Sequence, residues 1–116
     1  MTLIQYQQFA SRIRMQTLKM ITRACAGHIG SNFSIVDILT VLYNNALKID
    51  SEHPQWPLRD RFILSKGHAC ACLYAILAEK GFFPKSWLNK FYLEAGLLAG
   101  HATHTVPGIE VSTGAL

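Results

Sequence analysis

The sequence has few charged residues and no concentration of charge of one sign. Charged side chains make up 16% of the 116 residues, whereas half of the residues are hydrophobic, a balance that excludes a disordered chain. The eleven Lys and Arg residues are scattered, so the formal net charge of +4 gives no dense basic run of the kind that marks a nucleic-acid surface. A mild basic excess suits a phosphorylated small molecule equally well, so charge alone does not identify the ligand.

Cysteine is also scarce, and its pattern excludes several classes of protein. The three cysteines cannot form a disulfide framework, and Cys70-Ala71-Cys72 lacks the two-residue spacer of common zinc and redox motifs. No apolar run approaches the length of a membrane-spanning helix, and the N-terminus has no basic segment followed by an apolar core. We therefore expect a cytoplasmic protein with buried thiols, no signal peptide and no membrane partner.

Helical periodicity is clear in the first part of the chain. The pattern predicts one long amphipathic helix over Thr2–Ala26, with Thr2 and Gln5 forming a capping box and Gly27 ending the helix. A second helix is predicted from Ser34 to about residue 46, with Ser34 as the N-cap and Asp37 completing a capping-box pattern in the first turn. The loop between these helices, residues 27–33, contains His28 between two glycines.

The centre of the chain predicts a strand, a turn and a buried helix. Residues 61–64 have the apolar character of a short buried strand, and residues 69–80 predict a helix too apolar for a surface, closed by Gly81. Between them, Gly67 is expected to take a positive φ, and His68 to lie at the helix N-terminus, where free N–H groups suit a phosphate. With about one parallel strand among four or five helices, we expect an α/β fold that is incomplete in this chain.

Three glycine–histidine pairs recur in three separate loops. They are Gly27-His28, Gly67-His68 and Gly100-His101. Each pair alone is compatible with an ordinary loop histidine, but three together suggest one pocket in which imidazoles donate hydrogen bonds to phosphate or hydroxyl oxygens and carry protons.

Several segments, taken in order, resemble the N-terminal portion of transketolase. The matching blocks are Gly27-His28-Ile29-Gly30, Arg59 to Ala69 (RDRFILSKGHA), Gly100-His101, and Pro107 to Leu116 (PGIEVSTGAL). The similarity covers nearly the whole chain and is closest to the N-terminal subunit of split bacterial transketolases. It implies a single partial domain, residues 1–116, of a thiamine-diphosphate-binding fold.

The resemblance implies an enzyme that transfers a two-carbon ketol unit from a ketose phosphate to an aldose phosphate. By position, His28 and His101 would be catalytic, His28 at the substrate's hydroxyl and carbonyl region and His101 between cofactor and substrate. His68, with Gly67, would lie at the cofactor's diphosphate. Gly114 and Leu116 would contact the cofactor rings.

The resemblance also implies components that these residues do not supply. The family's Mg²⁺ ligands lie beyond the equivalent of Leu116, so no metal ligand is assigned within the chain. A C-terminal transketolase subunit or second protomer would complete the site, so we expect the 116 residues alone to be inactive. Two alternatives remain: a non-catalytic, transketolase-derived interaction or remnant protein, and a small metal site formed by His101, His104 and the cysteines.

Overall fold

The described part of the chain is built from helices and short helical turns. The computed structural model describes residues 1–91, 98 and 104–113. It contains four α-helices: α1 (Leu3–Ala24), α2 (Ile29–Phe33), α3 (Val36–Val41) and α4 (Cys70–Glu79). A π-helical turn, Leu42–Ala46, extends α3, and two 3₁₀ segments, Gly67–Ala69 and Lys85–Lys90, flank α4 on either side.

Helix α4 is the centre of the fold. Every residue from Cys70 to Ala78 is buried, because α1, α3 and the 3₁₀ segment Lys85–Lys90 pack around it. A helix that is apolar on all sides is stable only when it is covered on all sides. None of the helices in the described part of the chain is both long enough and apolar enough to cross a membrane.

The start of α1 confirms its sequence signal, but its end differs. Thr2 Oγ1 accepts the Gln5 backbone N–H at 3.2 Å, and the Gln5 side chain accepts the Thr2 N–H at 2.8 Å, which completes the capping box. The predicted end at Gly27 is wrong by two residues, since Cys25 (φ 52°) takes the left-handed conformation. That turn lets the Ala26 N–H reach the Ile21 carbonyl at 3.0 Å, as in other left-handed helix ends.

The second predicted helix is broken into pieces. Helix α2 forms within the segment predicted as a loop, and α3 begins after Ile35, which makes no side-chain cap. The expected capping box is wrong because its two members are engaged elsewhere. The Ser34 hydroxyl donates to the Ser31 carbonyl at 2.9 Å, and the Asp37 carboxylate accepts from Arg14 at 3.0 Å.

The strand predicted over residues 61–64 is not observed. No β-strand occurs among residues 1–91, 98 and 104–113, and the α/β class is therefore not confirmed by this part of the molecule, which is helix-rich. Leu64 is nevertheless buried, and the Phe62 ring lies edge-on to Tyr43 with centroids 5.8 Å apart. The apolar pattern indicated burial correctly at Leu64 but not at Ile63, which is 52% exposed, and a strand also needs a neighbouring backbone for its ladder of hydrogen bonds.

The end of α4 confirms the glycine signal. Gly81 has φ +90°, and the Phe82 N–H reaches the Leu77 carbonyl at 2.9 Å, a hydrogen bond that requires a left-handed residue in between. Pro84 is followed by the 3₁₀ segment Lys85–Lys90.

The segment 104–113 is fixed to this helical body by an ion pair and by apolar anchors. Arg59 donates to both carboxylate oxygens of Glu110, at 2.8 and 2.6 Å, and these side chains are only 10% and 13% exposed. Val106 and Ile109 are buried on either side of Gly108. The segment that leads toward residue 114 therefore has a defined position against α4.

Substituting Gly108 by alanine should destabilise the protein. Gly108 has φ +93°, and an added Cβ would lie 2.8 Å from Leu77 Cδ2 and 3.0 Å from Phe82 Cδ1. Left-handed strain together with overpacking costs about 2 kcal/mol or more, measurable as a lower midpoint of urea unfolding. Gly30→Ala is the matched control, because nothing lies within 4 Å of its added Cβ. Equal midpoints for the two variants would contradict this account.

Candidate functional site

His28 and His68 lie side by side although they are distant in sequence. Their ring centroids are 4.9 Å apart and the ring planes are inclined by 52°. His28 follows α1 and His68 lies in the 3₁₀ turn before α4, so two separate connections meet here. His28 is exposed and His68 is half-buried. The pair is therefore open to solvent at His28 and partly enclosed at His68.

The third histidine of the predicted pocket cannot be added to this geometry. His101 lies outside the described residues, as do Gly114 and Leu116. His104 is described, and it is an exposed residue whose Nδ1 lies 2.7 Å from Ser112 Oγ. The same hydroxyl accepts the His104 backbone N–H at 3.0 Å. These are contacts within the segment 104–113.

The backbone of His28 has an uncommon conformation. Its φ of 71° and ψ of 27° lie in the left-handed region, which residues other than glycine rarely occupy, although histidine does so more often than most. Such a conformation persists only where its surroundings hold it. The His28 carbonyl accepts two hydrogen bonds from Asn32, one from the backbone N–H at 3.0 Å and one from the side-chain Nδ2 at 2.8 Å.

Asn32 connects the two halves of the site, and sequence reasoning did not identify it. Its side chain is buried, and its Oδ1 accepts the backbone N–H of Cys72 at 2.9 Å. Asn32 therefore links the His28 carbonyl to the first turn of α4, directly after His68. In the sequence it was one polar residue in a segment predicted to be a loop, and no local signal distinguished it.

The turn that carries His68 differs from the prediction. Gly67 is buried and lies in the 3₁₀ segment Gly67–Ala69, and the glycines with positive φ in the described part of the chain are Gly81 and Gly108. The expected positive φ at Gly67 is therefore wrong. Helix α4 begins at Cys70, one residue later than expected, and His68 lies in the 3₁₀ turn that leads directly into it. The chain changes direction through the 3₁₀ turn, which needs no left-handed residue.

Lys66 adds a positive charge to the same cluster. Its Nζ donates to the Ser31 carbonyl at 3.1 Å and to Ser34 Oγ at 3.0 Å, so it joins the turn before α4 to the α2 region that follows His28. No acidic side chain takes part in the described contacts of His28, His68, Asn32 or Lys66. Two imidazoles and an ammonium group are donors that fit the oxygens of a diphosphate.

The cysteines do not provide a metal site in the described part of the chain. Cys70 and Cys72 are buried in α4, and burial raises the pKa of each thiol to about 12. Cys25 is exposed at the end of α1. Among residues 1–91, 98 and 104–113, no three His, Cys, Asp or Glu side chains are grouped so that they could hold a metal ion.

Comparison with known proteins identifies the family of this site. Residues 5–116 match the family described as "Transketolase, thiamine diphosphate binding domain". The chain therefore belongs to the family of transketolase thiamine diphosphate binding domains. This finding confirms the resemblance read from the Gly-His and RDRFILSKGHA segments.

Two curated relatives are subunits of particular transketolases. The chain is 41% identical over 114 residues to the 6-deoxy-6-sulfo-D-fructose transketolase subunit SqwG of Clostridium sp. (strain MSTE9), covering 97% of this chain and 42% of the relative. It is 40% identical over 103 residues to one subunit of the apulose-4-phosphate transketolase of Phocaeicola vulgatus, covering 89% of this chain and 37% of that relative. The chain thus spans about two fifths of the length of these two relatives.

A solved structure has the same fold over this region. The transketolase from Campylobacter jejuni superposes with a TM-score of 0.92 at 33% identity, covering 98% of this chain and 18% of that one. The helix-rich arrangement around α4 is thus similar to one part of a transketolase.

Proposed function

We propose that this chain provides the diphosphate-binding part of a split transketolase. The enzyme would transfer a two-carbon ketol unit from a ketose phosphate to an aldose phosphate with thiamine diphosphate. The observation that carries the proposal is the pair His28 and His68, whose ring centroids are 4.9 Å apart. The Lys66 ammonium group is hydrogen-bonded to the adjoining α2 region. Thiamine diphosphate, when bound, supplies the carbon centre that takes up and releases the two-carbon unit.

The chain's own residues would bind the cofactor and move protons. His68, with the Gly67 backbone beside it, would donate to the diphosphate, which suits its half-buried position in the turn before α4. The more exposed His28 would face the substrate's hydroxyl and carbonyl oxygens. His101 would act between cofactor and substrate, and Gly114 and Leu116 would contact the cofactor rings. These last three roles rest on the family resemblance.

The complete enzyme would need components in addition to these residues. Mg²⁺ would neutralise the diphosphate, and the resemblance places its ligands beyond Leu116. A C-terminal transketolase subunit or a second protomer would supply the rest of the site, in agreement with relatives that are named as subunits. Residues 1–116 alone would then be inactive. We propose a cytoplasmic enzyme, because three cysteines without a disulfide framework favour a reducing compartment.

The type of reaction is better supported than any particular substrate. One relative is named for 6-deoxy-6-sulfo-D-fructose and another for apulose-4-phosphate. Both names are of transketolases, but they differ in the sugar and in its anionic group, a sulfonate in the first and a phosphate in the second. The sugar phosphates that we propose as substrates rest on the family resemblance.

The test is ketol transfer by the full-length subunit together with its C-terminal partner. The assay supplies thiamine diphosphate, Mg²⁺ and a series of ketose phosphate donors, and it measures donor cleavage with an oxidant that traps the two-carbon unit, so that no acceptor has to be guessed. We expect donor cleavage that stops when the cofactor is omitted. An assembly that binds no thiamine diphosphate and cleaves no donor would contradict the proposal, and one that binds the cofactor without cleavage would favour the non-catalytic alternative.

A further inference from the structure

We propose that Asn32 is a positioning residue that holds His28 in its left-handed conformation beside His68. Only the loss of turnover that we expect in variants of Asn32 rests on the proposed function. The geometric part concerns four residues of this chain, Asn32, His28, His68 and Cys72, and stands on their contacts alone.

Both ends of the Asn32 side-chain amide form hydrogen bonds, and neither partner could bond to the opposite end of the amide. Nδ2 donates to the His28 carbonyl at 2.8 Å, and Oδ1 accepts the Cys72 N–H at 2.9 Å. A carbonyl only accepts and a backbone N–H only donates, so the reversed amide would fail at both ends. The side chain is 1% exposed, and water cannot readily replace either hydrogen bond.

The Asn32 side chain is hydrogen-bonded to His28, the residue whose backbone is in the left-handed region. His28 has φ 71°, and its carbonyl is fixed from α2 by the Asn32 backbone and from α4 by way of the Asn32 side chain. The second of these connections reaches the helix that directly follows His68. A change in the amide would therefore alter the His28–His68 geometry without touching either ring.

Asn32→Asp isolates the donor end of the amide. Aspartate keeps an oxygen to accept the Cys72 N–H, and in its ionised form it replaces the donor to the His28 carbonyl with a second oxygen, which repels that carbonyl. Burial favours the protonated acid, whose O–H still donates, so turnover is measured over a range of pH and the loss should grow as the pH rises. We expect turnover to fall about 10- to 100-fold, the range that a small displacement of a reacting group produces. The protein for this test is the full-length subunit with its C-terminal partner.

Asn44→Asp is a control for loss of the donor, although Asn44 is half-buried and beside Lys80, so the melting temperature of each variant is compared as well to account for the cost of a buried carboxyl at residue 32. Asn44 Nδ2 also donates to a carbonyl four residues earlier, that of Thr40 at 2.8 Å, and Asn44 Oδ1 accepts from Lys80 at 3.2 Å. The same substitution there removes the same kind of donor outside the candidate site. We expect Asn44→Asp to keep wild-type turnover, and a loss equal to that of Asn32→Asp would overturn the inference.

A double-mutant cycle separates positioning from a general structural effect. If Asn32 acts through His28, Asn32→Asp should cause no further loss of turnover in a His28→Asn background. Independent, multiplying losses would overturn the inference. So would wild-type turnover in Asn32→Asp while His28→Asn is impaired.

A crystal structure supplies a readout that does not depend on activity or on the role of His28. In Asn32→Asp, or in Asn32→Ala should the aspartate variant fail to fold, we expect His28 to leave the left-handed region and the 4.9 Å ring separation to increase. An unchanged His28 in either variant would overturn the inference. If His28→Asn keeps full turnover, the catalytic assignment fails, and this structural result still decides whether Asn32 holds His28.

Discussion

Replacing His28 by asparagine should lower ketol transfer about 10²- to 10³-fold, because an amide cannot carry the proton that an imidazole can, and proton transfer by a positioned side chain contributes about 10²- to 10⁴-fold. The imidazole is exposed and lies 4.9 Å from His68, where we propose that it donates to the substrate's carbonyl and hydroxyl oxygens. Asparagine is the appropriate replacement because it tolerates the left-handed backbone of His28. The loss should appear in kcat/KM for the donor sugar in the reconstituted enzyme, with the melting temperature unchanged.

His53→Asn provides the control for this variant. His53 is exposed, and its ring contact is Asp50, with Nδ1 2.9 Å from the carboxylate, so its loss should leave turnover intact. If His28→Asn retains kcat/KM within about two- or three-fold of wild type, the proposed contact with substrate is wrong.

Replacing His68 by alanine should weaken thiamine diphosphate binding. A hydrogen bond to a charged group contributes about 1.5 to 3 kcal/mol, which corresponds to roughly 10- to 100-fold in Kd. His68 is half-buried beside Lys66, in a cluster whose described contacts include no carboxylate, so an anion is the favoured ligand. Calorimetric titration of the assembled subunits with the cofactor in the presence of Mg²⁺ measures the change.

His68→Gln tests the chemical basis of the same prediction. Glutamine retains an N–H donor but not the imidazole, so it should recover part of the lost affinity. A cofactor affinity that is unchanged in His68→Ala would contradict the diphosphate assignment. Losses of equal size in His68→Ala and in His53→Ala would show that the effect is not specific to the site.

Local sequence signals predicted those elements that depend on neighbouring residues alone. The Thr2–Gln5 capping box and the end of α4 at Gly81 are examples, because each is completed within one turn of helix. The uniformly apolar α4 was also predictable, since such a helix must be buried. The family resemblance could also be found from the sequence, because it is carried by short motifs of consecutive residues.

The errors arose where distant residues compete for the same groups. Ser34 and Asp37 had the correct spacing for a capping box, but Asp37 pairs with Arg14 from α1, and Ser34 accepts from Lys66. The strand over residues 61–64 required a partner backbone that the described residues do not contain. Asn32 was missed because its importance depends on Cys72, which only the folded chain brings within reach.

The most direct test of the account is a crystal structure of the full-length subunit in complex with its C-terminal partner, thiamine diphosphate and Mg²⁺. We predict that a diphosphate oxygen lies within hydrogen-bond distance of the His68 ring and that His28 faces the substrate side of the cofactor. A cofactor bound with its diphosphate away from the turn Lys66-Gly67-His68 would contradict the central claim.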